Sequence, residues 1–210
     1  MNKKYKIPLI ILLILIILCI CLLVFKQFVY DKKENKQIVT SSVVDNLEKY
    51  GYSLDDRDTK IYEDTYYELK EILDSEEINY DKYAEKIASL FVIDLLTISN
   101  KINKYDVGGL DFLYEEEKEM FKNKVMDTLY KDVEDNSYDN RKQQLPTVTK
   151  VTVADIKNTN YELTKEKELE AYELEINVEY EKDLEYDEKV SVIVVKDNDK
   201  MHVVKYTAIN

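Results

Sequence analysis

Hydrophobic positions change their spacing along the chain in a way that divides it into three regimes. From Ile7 to Phe25 there is no charged residue, and nearly every position is Ile, Leu, Val, Cys or Phe. At ~1.5 Å rise per residue this run makes about 28 Å of helix, close to the ~30 Å hydrocarbon core of a bilayer. From Ile38 the apolar residues fall three and four apart, and helices are predicted. Ile38, Val39, Val43, Val44, Leu47 and Tyr50 define the first, with Gly51 as its C-cap. After the polar stretch from Ser53 to Lys60, a second carries Ile61, Tyr62, Tyr66, Leu69, Ile72 and Leu73 on one side. Asn79 is placed to cap a third, whose inward stripe is Tyr83, Ala84, Ile87, Leu90, Phe91 and Leu95. Its middle, Leu90 to Leu96, is apolar nearly all round, which marks it as the central buried helix. Asn100 to Tyr114, with Gly108 and Gly109, reads as a loop. A fourth helix is predicted over 115–133, with Phe121, Val125, Leu129 and Val133 buried.

After Pro146 the period falls from 3.6 to 2. Val148–Ile156 reads as a strand. Tyr172, Leu174, Ile176, Val178 and Tyr180 then alternate with Glu173, Glu175, Asn177, Glu179 and Glu181, as in a strand with one buried face and one wet face. Lys189–Lys196 is a valine-rich third strand, Asp197-Asn198-Asp199 a hairpin turn, and Met201–Ile209 a fourth strand. In that last strand His202, Val204 and Tyr206 are expected to share a face opposite Met201 and Val203. Helices first and an antiparallel meander second define an α+β fold with the helices on one sheet face. The expected layout is 1–6 cytoplasmic, 7–25 a transmembrane signal anchor, 26–37 a juxtamembrane linker, and 38–210 an extracytoplasmic domain. Within that domain the helices occupy 38–133 and the strands 147–209.

Charge sharpens the division. The chain of 210 residues carries a net charge of -13. Residues 1–30 hold four lysines (Lys3, Lys4, Lys6, Lys26) and no acid, so residues 31–210 carry 26 basic and 43 acidic residues, a net charge of -17. Lys3, Lys4 and Lys6 before the apolar run place the N-terminus in the cytoplasm and the acidic domain outside a plasma membrane spanned once. A cleaved leader would have a shorter core and small residues at its cleavage site. Cys19 follows Leu18 and Cys21 follows Ile20, neither of which suits lipoprotein processing. The acidity disfavours nucleic acid as a partner, since that requires a basic face.

The catalytic vocabulary is sparse. One histidine, His202, leaves no two-histidine metal site, and there is no Gly-x-Ser-x-Gly, no phosphate-cradling glycine loop and no metalloprotease helix. No catalytic residue, cofactor or metal ligand is assigned. His202 reads as a partly exposed sheet residue, with a general base as the alternative. Asp94 interrupts an apolar helix, and a buried carboxylate without a partner costs several kcal/mol. The chain has only two arginines, Arg57 and Arg141. An Asp94–Arg141 ion pair, or a tyrosine hydroxyl on Asp94, is expected to tie the central helix to the sheet. The 18 tyrosines read as core and boundary packing, or as a carbohydrate or peptide platform. The acidic stripe Glu173, Glu175, Glu179 and Glu181 reads as a solvated face, or as a surface for a basic partner or for loosely held divalent cations, with no calcium loop of the EF-hand type present.

One anchor, then helices, then the corner Asp106-Val107-Gly108-Gly109, then four antiparallel strands resembles the membrane-anchored extracytoplasmic members of the nuclear transport factor 2-like superfamily. These include the bitopic scaffold subunit of type IV secretion systems and its Gram-positive conjugation counterpart. The stretches 83–100 and 103–114 also resemble small surface proteins of Gram-positive bacteria. The resemblance implies a cone-shaped domain with a curved sheet and a role as scaffold or ligand pocket, and it transfers no catalytic residue. The function expected is a non-enzymatic envelope scaffold that binds protein partners or itself, as in conjugation or secretion. The alternative is a small-molecule pocket protein or enzyme of the same cone fold, using Asp94 and a tyrosine.

Overall fold

The computed structural model describes residues 38–209, and Ile20 alone upstream of them. The expected anchor (7–25) and linker (26–37) are therefore, apart from Ile20, outside the described residues. Among the described residues no helix is long and apolar enough to cross a membrane. Residues Val39–Asn210 form one contact unit. Its elements in chain order are β1 (Val43–Leu47), β2 (Tyr52–Asp55), α1 (Lys60–Leu73), α2 (Tyr80–Leu96), a 3-10 turn (Leu110–Phe112), α3 (Glu115–Asp127), β3 (Val148–Thr164), β4 (Lys167–Tyr180), β5 (Lys189–Asp197) and β6 (Lys200–Ala208). Among the described residues this unit is an α+β fold with three helices, the β1–β2 hairpin and a four-stranded antiparallel sheet in the order β3-β4-β5-β6.

The expected helix over 38–50 is corrected to the first strand of a hairpin. β1 pairs antiparallel with β2, from Leu47 opposite Tyr52 to Val43 opposite Asp55. Tyr52 and Leu54 are buried while Ser53 and Asp55 stay half-exposed, a period of two rather than 3.6. Gly51 is not a helix C-cap. It sits at φ +71° in the turn between the strands, where its N–H donates to the Leu47 carbonyl. α3 also stops earlier than expected, at Asp127, and Leu129 and Val133 pack partly buried against the core from the turns beyond it.

α2 is the centre of the domain. Asn79 caps it, its side chain accepting from the Lys82 N–H. From Ile87 to Leu96 every residue except Asp94 is buried. The helix touches all four strands of the sheet as well as α1. Tyr83, Ile87, Leu90 and Phe91 meet Leu174, Ile176, Val192 and Met201 in one apolar core. Each large apolar side chain removed from water there contributes roughly 1.5–3 kcal/mol. The Tyr52 and Tyr83 hydroxyls inside the core are paired, whereas the buried Tyr66 hydroxyl has no protein partner. Tyr52 donates to the Met201 carbonyl at 2.8 Å and lies 2.9 Å from the Tyr83 hydroxyl, which accepts from the Met201 N–H at 3.3 Å.

β4 shows the alternation its sequence implies, with Tyr172, Leu174, Ile176 and Val178 inward and Glu173, Glu175 and Glu179 exposed. β6 does not. A register shift opposite Ile193 and Val194 leaves Val204 as an extra residue, so Tyr206 pairs with buried Val192 and its ring meets Phe91 at 5.9 Å. Tyr206 therefore joins Met201 and Val203 on the core side instead of sharing a face with His202. His202 is half-buried and stacks on Tyr114, with ring centroids 4.0 Å apart. Burial holds its imidazole down at about 4, aided by the nearby Lys200 charge, so it is neutral at pH 7.

Candidate functional site

The carboxylate expected to need a partner has two, and neither is the expected one. Asp94 Oδ1 takes the ammonium of Lys101, and Asp94 Oδ2 accepts from the Gly109 N–H at 2.6 Å. Lys101 is only 6% exposed, so this is a buried cation matched by a nearby anion. The Asp94–Arg141 pair does not form. Arg141 instead donates to the carbonyls of Ser99 (2.6 Å), Lys101 (2.9 Å) and Glu134 (3.3 Å). It thus holds the chain just past α2 to the segment that leads into β3. Tyr130 also bypasses the carboxylate: its hydroxyl donates to the Leu95 carbonyl and accepts from the Gly108 N–H.

Gly108 and Gly109 make this corner sterically feasible. A Cβ on Gly108 would lie 2.1 Å from the Asp94 carbonyl oxygen, so the loop crosses the end of α2 at backbone contact distance. Gly109 has φ +84° and its Cα faces the Phe91 ring. Sequence inspection singles out Asp94, Gly108 and Gly109, and the structure brings all three together. Arg141 stands apart from them, on the far side of the Ser99–Lys101 turn.

Beside this corner is a cavity of about 190 Å³ between the β1–β2 hairpin, the start of α1, the end of α2 and the glycine loop. Its wall includes Asp55, Asp58, Asp94, Asp106 and Asp111 against the cations Arg57 and Lys101. Arg57 donates to Asp106 Oδ2 at 2.9 Å and to the Asn100 carbonyl at 2.6 Å. Asp111 Oδ2 accepts from both the N–H and the hydroxyl of Ser53. Three buried polar atoms on the lining side chains (Asp55 Oδ1, Arg57 Nε and Asn100 Oδ1) have no protein partner. Asp58, Lys101 and Asp111 escape pattern reading, and Arg57 and Asp106 are visible in it but not tied to the site, since only folding the hairpin and the loop over the end of α2 gathers them. Among the described residues no group of three or more His, Cys, Asp or Glu side chains converges as a metal ion would require. What the cavity offers is hydrogen bonding in both directions to a small polar guest.

Its titration carries a signature. Burial raises the Asp58 carboxyl to about 6, and the Asp94 charge pushes the same way, while a hydrogen bond from the Asp55 N–H opposes. Asp111 is raised too, chiefly by burial. An unfolded aspartate binds its proton near pH 4. Between about pH 4 and 6 the folded chain therefore holds a proton that the unfolded chain has released. Asp58 reduces stability progressively as pH rises through that window, and the whole reduction is present above about pH 6. His202 works the other way, lowering stability as pH falls from its ordinary 6.5 to about 4. Asp58→Asn is expected to raise the urea midpoint at pH 7.5 and to lose most of that advantage at pH 4.5. Comparing variant with parent at each pH cancels the histidine. An equal gain at both values would refute burial as the source of the shift.

Compared with known proteins, the chain matches no family model, no curated protein and no solved structure.

Proposed function

We propose that this protein is an envelope module held by one membrane span, whose acidic outer domain binds protein partners and performs no catalysis. The observation that carries this reading is the nineteen-residue uncharged run Ile7–Phe25 with Lys3, Lys4 and Lys6 before it and an acidic folded unit after it. Helices laid on one antiparallel sheet support a cone-like domain of the nuclear transport factor 2-like kind, and on that resemblance the setting is a conjugation or secretion assembly. The Asp94 carboxylate supports a structural role, because both its oxygens are engaged by Lys101 and Gly109. The small-molecule reading keeps one observation in its favour, the 190 Å³ polar cavity that includes Asp94 in its wall.

Fusions to the C-terminus of the full chain in a bacterial host test the topology. Alkaline phosphatase is expected to be active and green fluorescent protein dark, with both fusions in the membrane fraction. Deleting residues 7–25 should move the phosphatase fusion out of that fraction and abolish its activity. A fluorescent, phosphatase-negative pair would overturn the reading.

A further inference from the structure

A second concavity, of about 530 Å³, runs between the helices and the outer side of β3. One wall is α1 from Lys60 to Glu68, with Glu85, Lys86 and Ser89 of α2 beside it; the other is Thr149, Lys150, Val151 and Val153 of β3. β3 is the outermost strand of its sheet, with β4 as its one neighbour. From Lys150 to Val153 it makes no backbone hydrogen bond beyond β4 to any described residue. A strand edge with open N–H and C=O groups beside a helix-walled groove is the geometry by which an extended peptide adds to a sheet.

The register states what such a peptide must look like. Extra residues Thr149 and Ala154 bulge out of the β3–β4 ladder, so the regular edge inside the groove is Lys150–Val153, four residues long. Val151 and Val153 pair with buried Val178 and Ile176 and so line the helix side, with Ile61 across the groove. Lys150 and Thr152 belong to the opposite face, where Glu175 and Glu179 are exposed on β4. The nearby cations are already engaged: Lys60 by Asp64 at 2.7 Å, Lys86 by Glu68 at 2.7 Å, Lys150 by Glu179 at 2.7 Å and Lys157 by Asp155 at 3.0 Å. Glu85 on the rim, and Glu173 and Glu175 on the sheet, add further negative charge. A second copy of a chain with 26 basic and 43 acidic residues over 31–210 would bring more of the same sign.

We infer that the β3 edge and its groove take up an extended peptide of alternating apolar and basic residues as a fifth strand. Its apolar side chains lie on Val151 and Val153, and its basic ones face the acidic outer side of the sheet. This rests on reading the outer domain as a partner-binding module, but not on its anchoring. A failed topology assay would leave peptide binding intact, and failed peptide binding would leave the topology intact.

The probe is a fluorescein-labelled Lys-Val-Lys-Val-Lys-Val-Lys peptide, titrated with the full chain in neutral detergent and followed by anisotropy. Saturable binding is expected, with no binding of the Glu-Val counterpart. N-methylating alternate residues of the peptide distinguishes a ladder from a charge contact. One set faces β3 and its methylation should weaken binding about 10-fold or more, while the other set faces outward and should have little effect. The pair Glu173→Gln and Glu175→Gln, both exposed on the outer face of β4, should weaken binding about 3-fold. Equal sensitivity to both methylation sets, or equal binding of the acidic peptide, would overturn the proposal. So would sedimentation showing a dimer that excludes the peptide.

Discussion

Gly108→Ala is expected to cost the domain about 4 kcal/mol or more, read as a large fall in the urea midpoint. The new methyl carbon would lie 2.1 Å from the Asp94 carbonyl oxygen, 2.5 Å from its carbon and 2.8 Å from Oδ1. Two of those atoms are backbone at the end of a buried helix, so no rotamer change relieves the contact. The loop must lift away, and lifting it strains the Gly109 N–H bond to Asp94 and the Gly108 N–H bond to Tyr130. Overpacking alone costs about 1–3 kcal/mol, and losing a bond to a charged acceptor adds roughly 1.5–3. Gly51→Ala is the internal control. It also has positive φ, but its Cβ would meet only the mobile end of Lys200 at 3.6 Å, so about 1–2 kcal/mol is expected. Equal losses at the two glycines would refute close approach as the reason for Gly108.

Asp94→Ala is the second large effect, expected at about 3–5 kcal/mol. It strands the Lys101 ammonium, 6% exposed, without its carboxylate, and it removes the acceptor of the Gly109 N–H. Lys101→Met should cost less. It removes the buried charge itself and leaves Asp94, whose side chain is 19% exposed, still accepting from Gly109. The double variant Asp94→Ala with Lys101→Met should therefore be more stable than Asp94→Ala alone. Urea unfolding of all four proteins closes the cycle. An Asp94→Ala protein that loses under ~1 kcal/mol would mean that the pair is not the lock of this corner.

The elements differ in how far pattern alone discloses them. β4 is legible because it is central in the sheet and long enough for four full alternations from Tyr172 to Glu179. α2 is legible because a seventeen-residue helix buried on most sides carries a capping asparagine and almost no charge along its C-terminal half. β1 is five residues long, and Val43, Val44, Leu47 and Tyr50 fit one helical face as well as a strand followed by a turn. Only Tyr52 and Leu54, alternating just past Gly51, distinguish the two, and that signal is two residues long. β6 shows a further limit, since one extra residue reverses the faces without altering the composition.

At the site, the need for a partner is visible in the sequence but the identity of the partner is not. A carboxylate in an apolar helix demands a countercharge, and paired glycines announce a close crossing. Which cation arrives depends on how the chain turns after Leu96. The turn brings back Lys101, seven residues on, while Arg141 is spent on the carbonyls of that same turn. Arg57 and Asp58 belong to the site only because the hairpin before them is a hairpin.

The Tyr52–Met201 hydrogen bond joins residues 149 apart, and Tyr83 reaches the same residue across 118. Asp94, Lys101 and Gly109 lie within one short stretch and need nothing distant to meet. A ribosome therefore delivers the glycine corner long before it delivers β6, and until β6 arrives Tyr52 and Tyr83 lack their polar partner and α2 lacks its full cover. Such a chain stays open, and able to be threaded, until β6 is made. If the domain lies outside the membrane as proposed, the tyrosine clasp falls shut only once β6 is through.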